Sequence, residues 1–301
     1  MILMYHNIVS GDATEGLKSL GITMTQHTFR KHVAWLKRKF EIVSLSDYLM
    51  RVEAEGGVDR NVLALTLDDG HGVTYDCARS VSVEYNVPMT IFVSTCQIDD
   101  GPLIWGMYIN AISTECIYDS INVEGRVLDF QTAKSRKQSR QYLLEWAFAQ
   151  TDIAESVAAL EKEYPLPADI MKHYRGMTSE QLRDAGAGNL IGIGSHTVSH
   201  PFLDAIEAEA VRDELLQSKL KLEGIIGAPV KYVAYPSGGY NSDVIGVAKA
   251  VGYEAGFAVT PRNLSEEIFE IPRVGIYRDS IALLRLSLMK HRRRGLFKTQ
   301  G

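Results

Sequence analysis

Seven short apolar runs, spread along the chain and separated by amphipathic stretches, constrain the fold more than any other feature. They are ILMY (2–5), EIVSL (41–45), VLALTL (62–67), MTIFVS (89–94), LIGIG (190–194), YVAYP (232–236) and AGFAVT (255–260). They lack the apolar–polar alternation of a half-exposed strand, so they read as strands buried on both faces. Between them, Phe29, Val33, Leu36 and Phe40 recur at helical intervals. TSEQL (178–182) opens a helix with a capping box of Thr178 and Gln181. Glu207 to Ile226 reads as a long helix ended by Gly227, and another starts at an Asn241 cap and stops near Gly252. Buried strands alternating with helices require a parallel sheet wound by those helices, either open or closed as a barrel.

One stretch breaks this rhythm. Gln97 to Arg175 is long, weakly patterned, helix-leaning after Gln131, and carries Trp105, Tyr108, Tyr118 and Trp146. Segments of this size inside a compact unit are functional loops or small subdomains. This one is expected to pack against one face, or to serve as a lid that brings aromatic rings to a substrate. The expected organisation is a single domain over residues 1–301 with an insertion at about 97–175.

The chain is 46% hydrophobic with a net charge of −5, the profile of a soluble globular protein with no general reason to bind nucleic acid. A local exception is KHRRRG (290–295), read first as a solvated tail and second as a peripheral contact with anionic membrane lipid. Cys77, Cys96 and Cys116 form no CxxC pair and leave one over, which argues for reduced thiols. The opening MILMYHNIVSGD has no basic segment and too short an apolar run for a signal peptide. With Met1 as the native start, a cytoplasmic location is expected.

Two stretches carry chemistry. LALTLDDGHG (63–72) sets Asp68 beside Asp69 where an apolar run stops. Adjacent carboxylates repel, so they form either a solvated turn or the binding place of a cation. GIGSHTVSHP (192–201) sets His196 and His200 four apart, which on a helical turn would face both imidazoles to one side. One carboxylate and two imidazoles make three protein ligands with positions left for water, the pattern of a catalytic zinc-like site. The second carboxylate is then placed to act as a general base. The opposing reading makes all four residues structural.

At these residues the sequence resembles the polysaccharide deacetylases. Thr66-Leu67-Asp68-Asp69-Gly70 matches the family's T-F-D-D-G, and His196-Thr197-Val198-Ser199-His200 is a close variant of its H-[ST]-x-x-x-H. The similarity continues through ILMYH, YVAYPSGGYN and IPRVGI, and is thinnest over 97–175. It implies an α/β fold, a distorted (β/α) barrel of about seven parallel strands, with the site at their carboxyl ends. It implies Asp68 as catalytic base, and Asp69, His196 and His200 as ligands of one divalent metal ion. Zinc is expected first, and cobalt, nickel or iron also suit the donors. The implied reaction is metal-dependent removal of an N-acetyl group from an amino sugar of a polysaccharide or glycan precursor.

There are departures. The third motif reads Ala234-Tyr235-Pro236-Ser237-Gly238-Gly239, similar to a bacterial A-Y-P-x-G form without the usual Arg. Arg273 is the substitute partner for Asp68, or else a salt bridge at a strand end. A backbone N–H near Ser237 is the candidate oxyanion donor. The late L-x-H motif has no match, so His6, closing the first strand, is the candidate general acid, with His71 behind it. His27, His32 and His173 are read as structural or exposed, and His291 as a poor candidate. A lipid- or nucleotide-linked sugar is the expected substrate. The rival readings are a deformylase or non-sugar amide hydrolase on this fold, and a catalytically decayed carbohydrate-binding protein.

Overall fold

The structure is a computed structural model and describes residues 1–11, 13–55, 58–188, 190–262 and 267–293. In chain order the strands are β1 (Ile2–Tyr5), β2 (Asn7–Val9), β3 (Thr23–Thr25), β4 (Glu41–Ile42), β5 (Val62–Leu67) and β6 (Met89–Val93). They continue as β7 (Ser120–Val123), β8 (Arg126–Asp129), β9 (Ile191–Ser195), β10 (Tyr232–Ala234), β11 (Ala255–Ala258), β12 (Ile271–Pro272) and β13 (Val274–Gly275). All seven apolar runs contain a strand of one sheet, and its pairings are all parallel.

The sheet runs β12-β11-β10-β9-β6-β5-β1-β13, with β4 beside β5. Strand β5 lies at its heart and every residue of it is buried. Strand β1 pairs with Ala64–Leu67 on one side of it, while β4 takes Val62 and Leu63 and β6 takes Thr66 and Leu67 on the other. The two edge strands are halves of one extended segment. Ile271–Pro272 pairs with β11, Val274–Gly275 pairs with β1, and Arg273 alone separates them. That segment brings the sheet's edges together, and the result is the distorted (β/α) barrel expected from the alternation.

The outer helices end where their caps dictate. Thr178 and Gln181 form the capping box, and Asn241 caps Val244 N–H. Gly227 and Gly252 stop their helices in the left-handed region at φ +68° and +89°. Between β6 and β9 the chain forms the helices Trp105–Thr114, Ala133–Phe148, Ile153–Glu163 and Ala168–Met171 and the β7–β8 hairpin. This insertion has its own apolar cluster, with Tyr108, Ile109, Ile112, Leu143 and Val157 buried in it. Its far end returns to the aspartate turn, where Met177 N–H donates to Gly70 O at 2.9 Å and Gly72 N–H to Arg175 O at 3.0 Å.

Among the described residues no helix is long and apolar enough to cross a membrane. The helix Ile281–Arg293 leads into the basic tail, but the side chains from Lys290 onward, His291 included, lie outside the described residues.

Candidate active site

The two aspartates part company through backbone geometry. Asp68 leaves β5 with its N–H on Tyr5 O at 3.0 Å, still in the strand's bonding pattern. Asp69 and Gly70 then turn through the left-handed region at φ +75° and +76°. At Gly70 a Cβ would stand 2.8 Å from Val93 Cγ1, so the turn requires glycine there. At Asp69 the left-handed backbone costs about 1 kcal/mol or more. Ser94 N–H (3.3 Å) and Gln97 Nε2 (2.6 Å) hold its carbonyl in compensation.

Asp68 faces Arg273. Nη1 donates to Oδ1 at 2.6 Å and Nη2 to Oδ2 at 2.8 Å, a bidentate pair with both side chains buried. Nη1 also reaches Thr66 Oγ1 at 3.3 Å. Burial by itself would raise the Asp68 pKa, but the Arg273 guanidinium, with His196 and His6, holds it below the usual carboxylate range.

Asp69 faces histidines. Its Oδ1 lies 3.7 Å from Nε2 of both His196 and His200, and its Oδ2 lies 3.8 Å from His71 Nε2. Burial again pushes its carboxyl up, and His6, His200, His71 and His196 together bring it down to about 2.

His196 and His200 do not share a helical turn, contrary to the spacing argument. The stretch after β9 is an irregular loop with Thr197 and His200 at φ +68° and +60°. Glu214 takes the N–H groups of Val198 and Ser199 at 2.8 and 2.9 Å and Ser199 Oγ at 2.6 Å. Thr197 Oγ1 accepts from His200 N–H, and the Trp105 indole donates to His200 O at 3.1 Å. Pro201 was the available warning, since a residue before proline avoids the helical region. The loop still brings the imidazoles together, with ring centroids 4.9 Å apart.

The donor set fits a divalent cation. One atom each from Asp69, His196 and His200 lies within 4.8 Å of the others. His196 Nδ1 donates to Ala234 O at 2.8 Å, a carbonyl that can only accept, so Nε2 keeps its lone pair. Burial lowers the pKa of both imidazoles, that of His200 to about 4 with His196 adding to the effect, so both are neutral near pH 7. Two neutral nitrogens and an ionised carboxylate are the chemistry a zinc-type ion takes.

The remaining candidates surround this group. His6 follows β1, its Nδ1 buried without a hydrogen-bond partner and its ring 5.8 Å from Tyr277. His71 caps the helix Gly72–Tyr85, with Nδ1 3.1 Å from Tyr174 O and Nε2 without a hydrogen-bond partner. Ser237 lies three residues past Ala234, and it and Gly238 are left-handed at φ +52° and +72°. Of the insertion's aromatic residues, Trp105 reaches the histidine loop, while Tyr108, Tyr118 and Trp146 bond within the insertion. Glu214 stands on a long helix near no motif and gives no signal in sequence, while Trp105 is one of the insertion aromatics expected at the site and is found bonded to His200 O.

Comparison with known proteins fits this geometry. A Bacillus subtilis (strain 168) protein named as a polysaccharide deacetylase, YxkH, is 26% identical over 123 residues, 39% of this chain and 44% of that one. The match thus spans less than half of that relative. The Streptococcus pyogenes deacetylase PplD, solved in complex with acetate, shares the fold at TM-score 0.60 and 17% identity, covering 95% of this chain and 96% of that one. A de-N-acetylase from Aggregatibacter actinomycetemcomitans does so at TM-score 0.59 and 15% identity, covering 95% and 98%. The family model for polysaccharide deacetylase matches residues 55–256, from the aspartate turn's strand through the histidine loop to β11. The chain belongs to the polysaccharide deacetylase family.

Proposed function

We propose that the chain is a metal-dependent hydrolase that removes an N-acetyl group from an amino sugar of a polysaccharide or glycan precursor. The observation that carries this reading is the division of labour between neighbouring carboxylates. Asp69 joins His196 and His200 in a donor set, while Asp68 is held apart by Arg273.

Asp69, His196 and His200 would hold the ion. A bound divalent cation supplies Lewis acidity to the acetamide carbonyl and acidifies the attacking water. Asp68 takes the proton of that water as it attacks. Its depressed pKa keeps it ionised at neutral pH, and the two bonds to Arg273 fix the orientation of its carboxylate. Gly238 N–H is taken by Tyr235 O, and the N–H of Ser237, itself left-handed, is the one offered to the developing oxyanion. His6 delivers a proton to the departing amine, which otherwise would not leave. Products are acetate and a free amino sugar.

The test is acetate release from a panel of N-acetylated sugars, with the metal content measured alongside. Asp68→Asn is expected to keep about one zinc per chain while losing about 10²–10⁴-fold in rate, the range of a general base. Undiminished turnover by Asp68→Asn, or protein that takes up no metal after reloading, would overturn the reading.

A further inference from the structure

The last helix presents an unusual surface. Leu284 and Leu288 are buried against the barrel, yet Leu283, Leu286 and Met289 on the other side are 44%, 56% and 53% exposed. Among the described residues, no other element carries more than one exposed large apolar side chain. Scattered single ones are ordinary; three on one helix face are not.

The charge along this helix and its neighbour is mainly basic, with Glu84, paired to Arg30 at 2.7 Å, and Asp279, just before the helix, as acidic neighbours. The helix packs beside Gln26–Lys37, with Arg285 Cζ 5.1 Å from the Trp35 ring centroid. Lys31, Trp35 and Arg38 follow one line along that neighbour, and Lys31 and Arg38 are exposed. Residues 26–40 and 281–289 hold six of the chain's 32 Lys and Arg and none of its 37 Asp and Glu. In a chain of net charge −5, this is a strong separation of charge.

We propose that this face docks on an anionic lipid bilayer. An amphipathic helix with apolar side chains outward and basic residues around them is what an anionic headgroup layer retains. A second copy fits poorly, because a two-fold contact through this face would set basic residues against basic residues. The helix starts just after Tyr277, whose ring lies 5.8 Å from that of His6, so docking brings the site's rim close to the headgroups. On the deacetylase reading, the substrate class that follows is a lipid-linked N-acetylated amino sugar.

The experiment is co-sedimentation of the full chain with vesicles of phosphatidylcholine alone or mixed with phosphatidylglycerol. Binding to the mixed vesicles only, weakened by salt, is expected. Lys31→Gln and Arg38→Gln should each lower the partition coefficient about fivefold. Leu286→Asp with Met289→Asp should abolish binding without moving the thermal midpoint. Equal binding to both vesicles, binding to neither, or full binding by the Leu286/Met289 variant overturns the proposal. So does a lipid-free dimer that the same variant disperses, which would assign the face to a second copy.

The vesicle assay is repeated with Asp68→Asn, which should bind as wild type does, so failure of the deacetylase reading leaves docking separately measured. If both readings hold, the Leu286/Met289 variant keeps acetate release from a soluble N-acetylated sugar and loses it on a lipid-linked one in mixed vesicles. Equal losses on both substrates would overturn the link between docking and substrate.

Discussion

Asp68 and Asp69 have the same side chain and adjacent positions, and each meets different partners, a guanidinium for one and imidazoles for the other. Arg273 is the deciding partner for Asp68. Arg273→Gln removes the charge that offsets burial of that carboxylate and is expected to cost about 3–5 kcal/mol in urea unfolding. It should also raise the Asp68 pKa, moving the acid limb of the rate–pH profile upward, a shift that lost packing alone would not produce. Trp105 acts one bond further out. Trp105→Phe keeps the ring but loses the donor to His200 O, and is expected to weaken zinc binding about tenfold in a chelator competition. The residues of both motifs were readable because their spacing survives in sequence. Arg273 is named from the resemblance as the partner of Asp68, 205 residues away, and the bidentate pair is found; its residue type and place alone fit a strand-end salt bridge equally well. Glu214 was silent, since a carboxylate on a long helix looks the same whether it faces water or a loop.

The seven apolar runs announced their strands because burial on both faces leaves no room for polar alternation. Strands β12 and β13 lie outside the seven runs, since two residues each are too short to show a period and their pairing is set by where the rest of the barrel ends. The histidine loop departs from the helical expectation for a related reason: four-residue spacing is a helical cue, yet Pro201 and the bonds to Glu214 outweigh it. The insertion's helices were visible only as a leaning, because their apolar faces serve a separate cluster. That cluster also holds a titratable liability. Glu161 is buried with one hydrogen bond, from Leu103 N–H, and burial pushes its pKa up to about 6. A carboxyl raised above its unfolded value stabilises the fold fully only below that ordinary value of 4.5, and the contribution is lost as pH rises through about 6. Glu161→Gln is therefore expected to stabilise the protein at pH 7 by about 2 kcal/mol, with the gain vanishing at pH 4 in paired denaturation curves.

At the scale of the whole molecule, the barrel is held shut by the segment Ile271–Gly275, which pairs with β11 and with β1 over two residues each. Central strands such as β5 are bonded and buried along their length. Native-state hydrogen exchange should find the Ile276 amide, bonded to Met4 O at 2.8 Å, opening at a lower free energy than the amides of β5 and β6. Equal protection across the sheet would show the seam to be as firm as the rest. The residue at the midpoint of that seam is Arg273, so the join in the architecture and the clamp on Asp68 are the same side chain. A copy that has not finished folding, or has begun to fray, loses its clamp before it loses its strands. On the proposed reading, hydrolysis is then confined to the sealed molecule, and a frayed copy falls silent.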